Sequence, residues 1–546
     1  MVLLAAQMRS DGCTNVIVTK GASVDGSCIV SYAADSHQLF GAVYFHPASD
    51  WAAGSKIKIY DWDGGFYKGE IDQIAHTWQT VGNMNEHQLT ITETTFGGRP
   101  GLENKDGIMD YGSLIYTTLQ RARTAREAIN IIDELMQTYG YPSEGESFSI
   151  ADTQECWIME IVGKGEKKGA VWVAVRIPDG YICAHANQSR IDRFPLNDPE
   201  NCLYAPDVIS FAREKGWFDG KDEEFSFCDT YCPVDFGALR GCEARVWSAF
   251  RILGGNGFDS DRYLDFAMGS NPTNKMPLYI KPEKKISVKD VADVMRDHYE
   301  GTPMDMTEDA GAGACRTPYR WRPMGFQVDG KSYVFERAIA TQQTGFWIVC
   351  QSRGWLPDEV GGVLWFGVDD AATSAVTPIY TNVQSVPECF REDNGSMLEY
   401  SPTSAFWQFN KVAQFAYLYY DRAVPEIRSF IDRYENENLT LLAAQDEKCV
   451  KMLEAGNRAA ALTAMTEFCA ERSQYLFDSW KEMESYLLVK FMDGNIKVQN
   501  GDGSFKDNGA GKKIPASPQQ PMHRERWLKA IVKDHGETIQ VARPAR

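Results

Sequence analysis

Cys13-Thr14-Asn15-Val16-Ile17-Val18-Thr19-Lys20 is the stretch on which the reading of this chain turns. Its β-branched residues favour a strand. Residues 21–26 supply turn chemistry and residues 27–33 are strand-like again, so a hairpin begins at Cys13. Twelve residues precede that cysteine. With them removed, one residue carries both a thiol and a free α-amine. Such an amine has an ordinary pKa of about 7.7–8.0, against about 10.4 for lysine, so a useful fraction is neutral near physiological pH. Nucleophile and base then sit on the same residue.

The leader itself is short. Met1-Val2-Leu3-Leu4-Ala5-Ala6-Gln7 resembles the end of an export signal without its basic start. This favours export to a periplasmic or extracellular space, with the cytoplasm as the alternative. Ser10-Asp11-Gly12-Cys13 invites comparison with a lipoprotein cleavage site, which Asp11 fits poorly.

With 546 residues, 43% of them apolar, the chain can bury at least one large core. Its 56 basic and 75 acidic residues give a net charge of −19, scattered along the chain, which argues against nucleic acid or anionic membranes as partners. No apolar run approaches the roughly 20 residues of a transmembrane helix, so membrane insertion is not expected. Thirteen cysteines, an odd number, leave at least one thiol unpaired within the chain. Cys228, Cys232 and Cys242 cluster in sequence without a nearby histidine or second close pair, favouring thiols or a disulfide over zinc.

Further strands are expected at 56–60, 89–95, 156–162, 170–177 and 181–186, the last two joined by Pro178-Asp179-Gly180. Residues 111–139 carry helical spacing, broken near Thr124, where Thr124-Ala125-Arg126-Glu127 matches a capping box, and ended at Gly140. Residues 234–253 and 288–299 look helical, and 332–387 is β-rich. From residue 404 to 489 the pattern turns helical, and residues 500–521 read as loop. Strands, then helices, then strands give an α+β layered core.

Read in order, Cys13-Thr14-Asn15, Val24-Asp25-Gly26-Ser27, Ala34-Asp35-Ser36-His37, Met84-Asn85-Glu86-His87 and Ala184-His185-Ala186-Asn187-Gln188 form a series. Arg240-Gly241-Cys242-Glu243-Ala244-Arg245-Val246-Trp247, Val363-Leu364-Trp365-Phe366-Gly367 and Pro378-Ile379-Tyr380 extend it. The series resembles the cysteine dipeptidases of the dipeptidase A type. These are relatives of penicillin V acylase and choloylglycine hydrolase in the N-terminal nucleophile (Ntn) hydrolase superfamily. The resemblance spans roughly residues 13–390.

It implies a four-layer αββα sandwich over residues 13–400, preceded by a leader at 1–12. A helical extension at 401–495 and a loop and tail at 496–546 complete the expected organisation. It also implies hydrolysis of dipeptides or short peptides through a thioester, an oligomer of identical subunits, and no metal or cofactor. The alternatives are an acylase acting on a bile-acid or penicillin amide, and an exported binding lipoprotein without activity.

Residue by residue, Cys13 matches the family nucleophile, although any of the other twelve cysteines would better be read as structural. Asp35, at the end of the second hairpin strand, would hold the α-amine toward the thiol; otherwise it is a turn residue capping Ser36 and His37. Asn187 would donate to the oxyanion, its bland reading being a turn. Arg245 would lower the thiol pKa and steady negative charge, where a lone helical arginine is usually a surface ion pair. Thr94 aligns loosely with an oxyanion-hole side chain. Relatives commonly place an arginine three residues before the aspartate, and this chain has Tyr32 there. The eight histidines form no ligand set.

Overall fold

The computed structural model describes residues 12–320 and 324–541. The expected hairpin is present as the antiparallel strands Thr14–Val18 and Cys28–Asp35, with Thr14 opposite Ala33 and Val18 opposite Ile29. Asp25 closes the turn by accepting from the Ser27 amide and hydroxyl, and Gly26 supplies the positive φ of 83° that a side chain would resist. Every residue of both strands is buried, so the hairpin lies inside the molecule.

It forms the middle of a seven-stranded antiparallel sheet. Ile182–His185 and then Tyr279–Ile280 lie on one side; Thr344–Ser352, Gly362–Val368 and Thr377–Tyr380 follow on the other. The second sheet has eight strands, with Thr90–Phe96, Gly145–Ala151, Cys156–Lys164 and Lys167–Arg176 as its long members. Strand Thr90–Phe96 packs across both strands of the hairpin. Pro178-Asp179-Gly180 therefore does not close a hairpin between its flanking strands: it carries the chain from the second sheet into the first. Thr19 anchors that crossing, its hydroxyl donating to the Tyr181 carbonyl and accepting from the Gly180 amide.

Helices Tyr111–Leu119 and Ala125–Tyr139 pack on the second sheet. The break between them is where the capping pattern predicts it: the Thr124 side chain accepts from the Glu127 amide, and Gly140 terminates the second helix at a φ of 83°. Helices Ala244–Gly254, Val288–Val294, Ala405–Leu418 and Arg458–Phe491 contact the first sheet. The architecture is mixed α+β, as expected. Residues 234–253 split into a wide π-type turn, Ala238–Glu243, and the α-helix that follows it.

The C-terminal helices, with Tyr420–Glu454 as the third, share the apolar core of the sheets, and Trp480 stacks on Phe409 at 4.4 Å. Buried Arg296 joins Glu435 on the long helix to the carbonyls of Ala371 and Ser374, and Arg353 pairs with Asp446. Removing one partner of such a pair typically costs about 3–5 kcal/mol. Residues 500–521 carry only isolated bridges and lie mostly exposed, matching the loop expectation. No helix among the described residues is long and apolar enough to cross a membrane.

Candidate active site

Sheet register builds the first part of the site. Thr14 pairs with Ala33, and the same ladder carried outward brings Asp35 to Gly12, whose amide donates to the Asp35 carbonyl at 3.0 Å. On the other edge Asn15 pairs with His185, so Asn187 falls opposite Cys13. Three residues distant in sequence meet because the strand bearing Cys13 lies between the other two.

Asn187 adopts a φ of 59°, a left-handed conformation that asparagine tolerates better than most residues. Its Nδ2 donates to the Thr95 carbonyl at 2.7 Å, and its Oδ1 accepts from Arg245 Nη2 at 2.9 Å. Arg245 thereby fixes which end of the amide is the donor. A Cβ on Gly12 would lie 2.4 Å from Asn187 Oδ1, so the backbone can pass over the amide only as glycine.

Arg245 is buried and is not a surface ion pair. It donates to the carbonyls of Cys13 (2.6 Å), Gly241 (2.8 Å) and Ala186 (3.3 Å) and to Thr14 Oγ1 (2.9 Å). None of these bonds reaches the sulfur. The Arg245 guanidinium holds the backbone on both sides of the site. Burial, then the charges of Glu93 and Asp35, push the Cys13 thiol well above its ordinary range, with its hydrogen-bonding contact to the Tyr32 hydroxyl opposing.

Asp35 does not cap the following turn. Its Oδ2 accepts from Arg337 at 2.5 Å and its Oδ1 from the Thr344 hydroxyl at 2.6 Å. Arg337 also donates to the Gly12 carbonyl at 2.7 Å, the acyl side of the Gly12–Cys13 bond. A guanidinium thus reaches the aspartate from far along the chain, while Tyr32 faces elsewhere. The Tyr32 hydroxyl donates to Glu93 Oε1 at 2.6 Å, and the Cys13 thiol lies 3.2 Å from that same oxygen.

Glu93, Arg337 and Thr344 were not singled out by sequence, and Tyr32 only as a departure from the arginine of relatives. Glu93 left a trace, since a carboxylate interrupts the buried, threonine-rich strand Thr90–Phe96. Arg337 left none. Thr94 points away from the sulfur: its hydroxyl is 2.7 Å from His185 Nδ1, and Ser149 Oγ is 2.7 Å from the opposite ring nitrogen. Burial lowers the His185 pKa to about 3, so the ring is neutral and serves as a spacer between the sheets.

The Glu93 charge predicts a measurable effect. Glu93→Gln removes a negative neighbour that disfavours the thiolate. The pH profile for alkylation of Cys13 by iodoacetamide should move to lower pH, with a rate about tenfold faster at a fixed pH below the midpoint. An unmoved profile contradicts the assignment.

All thirteen cysteines are free thiols, so no disulfide links Cys228, Cys232 and Cys242. Cys228 instead lies near Asp192 and Asp229, and Lys275 pairs with Asp229 at 2.5 Å.

The model of peptidase family C69 matches residues 55–433. The chain belongs to peptidase family C69. The matched stretch contains Glu93, Asn187, Arg245 and Arg337 and begins downstream of Cys13 and Asp35. Among curated proteins, a probable dipeptidase B of Lactococcus lactis subsp. lactis is 25% identical, over 85% of this chain and 93% of its own length. A probable dipeptidase of Latilactobacillus sakei is 25% identical over 76% of this chain and 83% of its own, and dipeptidase A of Lactobacillus helveticus is 24% identical over 74% and 82%. This C69 chain is thus similar along most of its length to proteins named as dipeptidases.

Proposed function

We propose that this C69 peptidase is a cysteine dipeptidase that acts through an N-terminal nucleophile. The observation that carries the reading is the convergence on Cys13 of Asp35 and Asn187 from the two neighbouring strands, inside a family of peptidases. The two packed sheets with helices on each side are read as the αββα sandwich of the Ntn hydrolases.

Cleavage of the Gly12–Cys13 bond frees the α-amine. That amine takes the thiol proton, and the sulfur attacks the peptide carbonyl. Asn187, its amide orientation set by Arg245, donates to the oxyanion. Collapse of the tetrahedral intermediate breaks the C–N bond, and the α-ammonium returns the proton to the leaving amine. Water, deprotonated by the same amine, then hydrolyses the thioester, releasing the acid and restoring the thiol. Asp35 and Arg337 position the terminus. The names of the relatives favour dipeptides over bile-acid or penicillin amides as substrates.

The uncut chain is then a zymogen. Sequencing of the active enzyme should begin at Cys13. A chain that keeps Gly12, or carries an acylated Cys13 amine, and still hydrolyses dipeptides at full rate overturns the reading.

A further inference from the structure

Five glutamates are buried among the described residues: Glu93, Glu146, Glu160, Glu243 and Glu435. Three are satisfied by donors of the protein. Glu160 accepts from the Ser189 hydroxyl and the amides of Arg190 and Ile191, Glu243 from Arg190, and Glu435 from Arg296. Glu93 and Glu146 differ. Glu93 Oε1 accepts from Tyr32 and lies against the thiol, and Glu146 Oε2 accepts from Thr95 at 3.1 Å. Glu93 Oε2 and Glu146 Oε1 are buried with no donor from the described residues.

The two carboxyl groups are hydrogen-bonding neighbours, and burial raises the pKa of both. A proton held between them, a buried water or a cation from outside can satisfy those oxygens, and the cation also offsets their charge. On strands Thr90–Phe96 and Gly145–Ala151 the pair sits beside the nucleophile, and Asp63, held by the Tyr111 hydroxyl at 2.6 Å, adds a third carboxylate on the exposed side.

We propose that the Glu93–Glu146 pair is the subsite that receives the free α-ammonium group of the substrate's N-terminal residue. This rests on the dipeptidase reading and names what that site selects. In an N-terminal residue the ammonium nitrogen is two bonds from the scissile carbonyl carbon, about 2.5 Å away. That carbon must approach the sulfur to about 3–3.5 Å for attack. Glu93 Oε1 is 3.2 Å from Cys13 Sγ, so a peptide poised for attack brings its ammonium within reach of the pair. An ammonium offers three donors and a full positive charge to the two oxygens without one. Its arrival also offsets the negative charge that opposes thiolate formation, so the correct substrate helps ionise the nucleophile. A peptide with a blocked N-terminus lacks the charge and leaves both carboxyls unpaired.

The test compares alanyl-leucine with propionyl-leucine, which differs only in lacking the amine, on the mature enzyme and on Glu146→Gln, a position that does not touch the sulfur. For the wild type, kcat/KM should favour alanyl-leucine by about 100-fold or more. Glu146→Gln should raise KM for alanyl-leucine roughly 10- to 100-fold, with a smaller change in kcat, and narrow the preference. Equal use of the two substrates by the wild type overturns the proposal and leaves the peptidase reading intact. So does a Glu146→Gln variant with unchanged KM and unchanged preference. A wild type that hydrolyses no dipeptide removes both. Should Glu146→Gln fail to fold, the wild-type comparison decides alone.

Discussion

Replacing Cys13 with alanine is expected to lower kcat/KM for dipeptides by about 10⁶-fold, the scale on which hydrolases lose activity when a nucleophile is deleted. Prepared with residue 13 as its N-terminus, the alanine variant keeps the α-amine, so it separates loss of the thiol from loss of the base. It also keeps the fold. The position is only half-buried, its sulfur contacts are Glu93 and Tyr32, and the strand it heads is held on both edges by hydrogen-bonded neighbours. Unfolding free energy should therefore change by about 1 kcal/mol or less. Steady-state kinetics and thermal unfolding of the same preparation check both statements. Residual activity above about 1% of wild type would place the nucleophile elsewhere.

The second large effect is expected at Asn187. Asn187→Gly should reduce kcat by about 10²- to 10³-fold, or about 3–4 kcal/mol of barrier, with little change in KM. The donor acts on charge that develops only during attack, so its loss appears in turnover rather than ground-state binding. Glycine is the informative replacement because the residue sits at a φ of 59°, where alanine would add strain of about 1–2 kcal/mol and confuse the result. The substitution leaves Arg245 without one acceptor, while its bonds to Cys13, Thr14, Gly241 and Ala186 remain. A modest fall in melting temperature is expected beside the large kinetic loss. An unchanged kcat would falsify the oxyanion role.

Much of this was legible along the chain because it depends on short-range signals. The Cys13 hairpin follows from two β-branched runs around a turn. The helix break at Thr124 follows from a cap whose side chain bonds an amide three residues on. Asp35 was legible at the end of the hairpin strand that returns beside Cys13, whereas Asn187 was singled out by the resemblance to the dipeptidase A type, and the register that sets it opposite Cys13 belongs to the folded sheet.

Other features depended on contacts without a local signature. Pro178-Asp179-Gly180 is as good a turn between sheets as within one, so its sequence does not say which neighbours the flanking strands choose. Arg245 was visible as a helical arginine, but its aim at backbone carbonyls rather than the sulfur follows from where the helix lies on the sheet. Thr94 and Glu93 are adjacent on one strand. Their side chains part, one to His185 and the other to the nucleophile, and only the packing of the two sheets assigns these destinations.

By itself, then, the sequence determined the hairpin headed by Cys13, the mixed α+β class and the place of Asp35 at the end of the returning strand, because turns, caps and hairpins act over a few residues. Only the tertiary structure decided that Arg337 clasps Asp35 and the Gly12 carbonyl, and that Glu93, one of two incompletely satisfied carboxyl groups, lies against the nucleophile. Arg337 stands 302 positions from Asp35, and Glu93 80 from Cys13. Contacts over such separations arise from sheets and loops closing around a shared core, and no pattern in the neighbouring residues records them.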